Sequence, residues 1–89
     1  MFIIYDELHA EFISDEFENF SAAFSELQKI AVVPFGNEPN KPPCSGWKHC
    51  KRKYFIHEYD DSQMPWKLLT KTYVLKVSAS DVLWMLHRT

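Results

Sequence analysis

The sequence predicts an α+β domain in the order β-α-β-β-α: a small three-stranded antiparallel sheet with one long amphipathic helix on a face and a short C-terminal helix. Two observations carry this. Apolar residues recur at helical spacing through 15–31, and two consecutive later stretches alternate with a period of two.

Residues 2–6 hold Phe2, Ile3, Ile4 and Tyr5, all strand formers, and read as a short first strand. Phe2, Tyr5, Leu8 and Phe12 also fit a helical spacing, so residues 1–12 are open to either structure. Over 15–31 the apolar positions Phe17, Phe20, Phe24, Leu27 and Ile30 step by three and four. Ser14 is placed to cap that helix, Asp15, Glu16 and Glu18 to fill its first turn, and Lys29 to face its negative end. Pro34 and Gly36 close it.

The stretch 34–50 reads as a long Pro-rich loop. Residues 51–59 follow as a strand, with Tyr54, Ile56 and Glu58 on one face and Phe55, His57 and Tyr59 on the other. Asp60, Asp61 and Ser62 turn the chain into a second strand over 67–77, paired antiparallel with the first. In that strand Leu69, Tyr73, Leu75 and Val77 alternate with Thr70, Thr72, Val74 and Lys76. Ser78 and Asp81 have the spacing of a capping box, which points to a final helix through Val82, Leu83, Met85 and Leu86.

Eighty-nine residues make one domain, 1–89, with a thin stability margin. Seven Phe, four Tyr and three Trp are many rings for one small core. Rings left outside form an apolar patch, and such patches mark partners, which favours a homodimer. No run reaches the roughly 20 apolar residues of a membrane helix, and Asp6 and Glu7 interrupt the apolar start too soon for a signal peptide. The expected setting is cytoplasmic, with no membrane partner.

The net charge of −2 hides an asymmetry. Residues 1–40 carry eight acids and one base, a net of −7, whereas 41–89 carry nine bases and four acids, a net of +5. Either the two halves neutralise each other or the domain has one acidic and one basic face.

Three chemistries compete for the segment around the loop. Trp47, Lys48, Lys51, Arg52 and Lys53, together with Trp66, are the candidate binding residues of an interaction module for a protein or small-molecule ligand. Cations interleaved with rings over 47–55 also suit a nucleic acid, although a pI near 6 counts against it. Cys44, His49, Cys50 and His57 are weak metal-ligand candidates. The gap between the cysteines exceeds the usual zinc spacing, and His49 abuts Cys50. The same residues offer a thiol nucleophile, but no motif supplies an oxyanion hole. Asp6, His9 and Glu11 read as a solvated cluster. The ranking that follows is a non-enzymatic homo-oligomeric binding module first, a nucleic-acid-binding protein and a small metal- or thiol-dependent protein after it, with no cofactor expected.

Overall fold

The computed structural model describes residues 1–38 and 40–85. Five strands and one α-helix make it mostly sheet: β1 (Phe2–Asp6), β2 (Glu11–Phe12), α1 (Phe20–Ile30), β3 (Arg52–Asp60), β4 (Lys67–Val77) and β5 (Val82–Trp84). All five strands join one antiparallel sheet in the order β2-β1-β3-β4-β5. This corrects the expected three-stranded sheet with two helices.

The final helix is replaced by a strand. Ser78 does cap, but it caps a tight turn: its hydroxyl accepts the Asp81 amide (3.1 Å), and its own amide donates to the Asp81 carbonyl (2.9 Å). That turn sends Val82–Trp84 back along β4, where Leu75 pairs with Trp84 and Val77 with Val82. A three-residue strand beside an existing edge satisfies its amides at once, whereas a helix this short carries mostly orphan groups. Leu86, the end of the expected helix, lies outside the described residues.

The long helix begins later than its apolar spacing predicts. Phe17 exchanges both backbone hydrogen bonds with Phe2 (2.8 and 2.7 Å), which holds it extended. Asn19 is therefore the cap, its side chain accepting the Ala22 amide at 2.8 Å. Ser14 instead accepts the Ile4 amide (2.9 Å) and serves the sheet. Between α1 and β3 the chain forms no helix or strand among the described residues apart from one 3₁₀ turn at Trp47–His49.

Helix α1 covers one face of the sheet. Ala23, Leu27 and the following Ala31 pack with Ile4, Tyr54, Ile56, Val74, Leu75 and Val77. The register of β4 contains a bulge: Tyr54 pairs with Leu75, but Phe55 pairs with Tyr73. The extra residue lets consecutive Val74 and Leu75 both enter the core, each fully buried. It also breaks the simple alternation, so Tyr73 stacks on Phe55 at 4.9 Å and stands on the face opposite Leu75 and Val77. No helix of the described chain is long and apolar enough to cross a membrane.

Candidate functional site

Strand alternation places Asp6 in line with Phe2 and Ile4, on the side of the sheet that carries the core. Its side chain is completely buried. A carboxylate in such a place needs charged or hydrogen-bonding partners. Arg52 Nη1 lies 3.1 Å from Asp6 Oδ2, and His9 Nδ1 lies 2.8 Å from the same oxygen. The His9 amide donates to Oδ1 at 3.4 Å. One buried acid thus ties the first residue of β3 to the turn between β1 and β2.

Around this pair lie Tyr54, Cys50 and Cys44. Burial opposes the charge on Arg52, but contacts with Tyr54, Asp6 and Cys50 outweigh it and hold the guanidinium above its ordinary pKa. Burial raises the Tyr54 phenol, with Arg52 pulling the other way. Burial likewise raises the Cys50 thiol; Arg52 draws it down and Cys44 adds to the rise. Among the described residues the Arg52 Nε has no hydrogen-bond partner, although it is buried.

The loop brings the two cysteines together. The Trp47 amide donates to the Cys44 carbonyl (3.2 Å) and the Cys50 amide to the Trp47 carbonyl (3.1 Å). These bonds fold 44–50 back on itself. A ring nitrogen of His9 and the sulfur atoms of Cys44 and Cys50 then lie within 4.8 Å of one another. Cys50 is buried and Cys44 exposed, both as free thiols. His49 sits exposed in the 3₁₀ turn and is not part of this group. His57 is on the other side of the sheet, buried and stacked on Tyr5 at 4.5 Å. His9 takes the place that the sequence offered to His57. The reading of Asp6, His9 and Glu11 as a solvated cluster is corrected at Asp6, a fully buried acid in phase with Phe2 and Ile4 on the apolar side of a strand.

The expected basic and aromatic patch over 47–55 is divided by the fold. Trp47 is half-buried against the core cluster, with Lys48 Nζ 5.9 Å from its ring centroid. A Cβ at Gly36 would meet that ring at 2.7 Å, so the indole lies directly on the glycine backbone. Arg52 turns inward to Asp6. Lys51 and Lys53 are exposed, as is Trp66, whose ring centroid is 6.2 Å from that of Tyr59.

The face of the sheet opposite α1 is uncovered by any element among the described residues. It carries Tyr5, Phe55, His57, Tyr59 and Tyr73, with Phe12 reaching in from β2. Two pairs stack, Phe55 on Tyr73 and Tyr5 on His57. Lys53 pairs with Lys76 and His57 with Lys71 across β3 and β4, so three lysines share this face with the rings. Burial, aided by Lys71 and opposed by Glu7, holds His57 below its ordinary pKa. A cavity of about 380 Å³ at the β4–β5 end is lined by Lys51, Lys76, Ser78, Ser80 and Asp81.

No family model, curated protein or solved structure matches this chain.

Proposed function

We propose that this chain is a non-enzymatic binding module, that its ligand surface is the uncovered face of the sheet, and that the ligand is a single-stranded nucleic acid. One observation carries this reading: Tyr5, Phe55, Tyr59 and Tyr73 share a sheet face with Lys53, Lys71 and Lys76. Rings on an open antiparallel sheet offer bases a stacking platform, and lysines beside them pair with phosphates. The overall charge is mildly acidic, but acids such as Glu16, Glu18 and Glu26 belong to α1 and the segment leading into it. Glu7 lies near His57 and Tyr73 and is the acid that opposes a polyanion on this face.

Fluorescence anisotropy with labelled oligothymidylate and oligouridylate tests the proposal. Affinity should fall with salt at a logarithmic slope of about −0.7 per phosphate neutralised, so about −2 if three lysines engage. Phe55→Ala should weaken binding by about 1–3 kcal/mol, the value of one stacked base. Lys53→Ala should lower the salt slope by about 0.7. An absence of binding at low salt, or binding indifferent to salt, refutes the proposal.

A second reading, self-association as a homodimer, is favoured by a different observation. Phe12, Trp66, Leu68 and Leu69 are all more than a third exposed and are large apolar side chains. Sedimentation equilibrium decides it: a dimer that Trp66→Ala converts to monomer supports this reading, and a monomer at all concentrations removes it.

A further inference from the structure

We propose that His9, Cys44 and Cys50 form a zinc-binding site, with Asp6 as the outer carboxylate that orients the histidine. The site stands apart from the sheet face and does not depend on it.

Three donors are already gathered. The two sulfurs and a ring nitrogen lie within 4.8 Å of one another. Tetrahedral zinc with bonds of about 2.0–2.3 Å needs its ligand atoms roughly 3.3–3.8 Å apart. Small side-chain rotations therefore close the site without moving a strand. The donor set, two sulfurs and one imidazole, is soft and selects zinc over magnesium or calcium.

The carboxylate behind the histidine is the more telling feature. A metal-bound histidine characteristically gives its other ring N–H to a carboxylate, which sets its tautomer and orientation. His9 supplies the carboxylate half of that arrangement: Nδ1 is 2.8 Å from Asp6 Oδ2, which leaves Nε2 for the metal, and Asp6 is fully buried and itself braced by Arg52. An exposed histidine ring held to a buried acid is a costly piece of order for a solvated surface turn. The opposite charges of Asp6 and Arg52 offset each other, so the surroundings do not oppose a neutral zinc dithiolate. On binding, each thiol gives its proton to solvent as its sulfur bonds zinc; no oxidant or reductant takes part. Three protein ligands leave a fourth position on the exposed side of Cys44 and His9 for water or an added ligand.

Titration of the reduced full chain with Co²⁺, followed by Zn²⁺ competition and native mass spectrometry, is the test. The expected result is one metal per chain with thiolate-to-cobalt charge-transfer absorption that zinc abolishes. His9→Ala and Cys44→Ser should each weaken zinc binding at least tenfold. Cys44 is exposed, so metal-free Cys44→Ser should melt with the wild-type midpoint, which separates loss of a ligand from loss of the fold; His9→Ala also removes a partner of the buried Asp6 carboxylate and should melt lower even without metal. The proposal is overturned if thiolate-to-cobalt absorption is absent, if both variants bind zinc as tightly as the wild type, or if the thiols pair as a Cys44–Cys50 disulfide in the presence of zinc instead of retaining it.

Discussion

Replacing Asp6 by alanine should destabilise this protein severely in its metal-free form. The carboxylate has no exposure and receives Arg52 at 3.1 Å and His9 at 2.8 Å. Removing it leaves the Arg52 guanidinium, whose side chain is only 11% exposed, without its counter-ion. Breaking a buried pair in this way costs about 3–5 kcal/mol, most of it the penalty of the stranded charge. At about 0.05–0.15 kcal/mol per residue, an 89-residue domain holds roughly 4–13 kcal/mol in total. The substitution therefore removes about a quarter of the stability at the least, and all of it if the total lies at the low end. Urea unfolding followed by far-UV circular dichroism, in chelator and reductant, measures the loss as a shift in midpoint at constant slope. Arg52→Met removes the charge that Asp6→Ala strands, so the double variant should be more stable than the sum of the single effects predicts, by about 1–3 kcal/mol. A loss below about 1 kcal/mol for Asp6→Ala would refute the reasoning, because it would mean that Arg52 reaches water at little cost.

Two further predictions concern the loop and the open face. Gly36 has φ of +83° and its missing Cβ is occupied by the Trp47 ring, so Gly36→Ala should destabilise by about 1–3 kcal/mol in thermal or urea unfolding, and Trp47→Ala should also lower the midpoint because the indole packs on the core. A neutral Gly36→Ala would show that the indole is not seated there. His57 is held below its ordinary value of 6.5 by burial, then by Lys71, so the folded protein binds fewer protons than the unfolded chain. Its contribution to stability is complete above about 6.5 and declines as pH falls from there toward the folded-state value. His57→Phe, which keeps a ring against Tyr5, should flatten that part of the stability–pH curve; an unchanged slope would assign the proton uptake elsewhere.

Much of the sheet was legible because its strands obey local rules. β1 and β4 fall at the expected 2–6 and 67–77, and β3 runs one residue later than the expected 51–59, where strand formers and period-two alternation coincide. The turn after β3 is local chemistry too: Asp60 accepts both the amide and the hydroxyl of Ser62, at 3.0 and 2.6 Å. The body of α1 was visible in Phe20, Phe24 and Leu27. Its start was not, because residues 15–18 have helical spacing and acids but lose Phe17 to a pairing with Phe2, fifteen positions away.

The candidate zinc site was only half visible. Cys44 and Cys50 attracted attention as residue types, but their spacing fits no standard zinc motif, and the third donor sits 35 positions before Cys44 in a different turn. The segment 47–53 is split between the two sides of the sheet for a related reason. Trp47, Lys48, Lys51, Arg52 and Lys53 are neighbours in the chain, yet a strand sends successive side chains to opposite sides, so Arg52 is inside while Lys51 and Lys53 are outside.

Neighbours within about four residues set the extended period of β1, β3 and β4, the turn at 60–62 and the body of the helix. Tertiary structure decided that 82–84 is a strand, that a bulge turns Tyr73 away from Leu75, and that Asp6, His9, Arg52 and the two cysteines meet. Those outcomes depend on hydrogen-bond partners and charges far away along the chain, and a pattern read over a few residues carries no information about them.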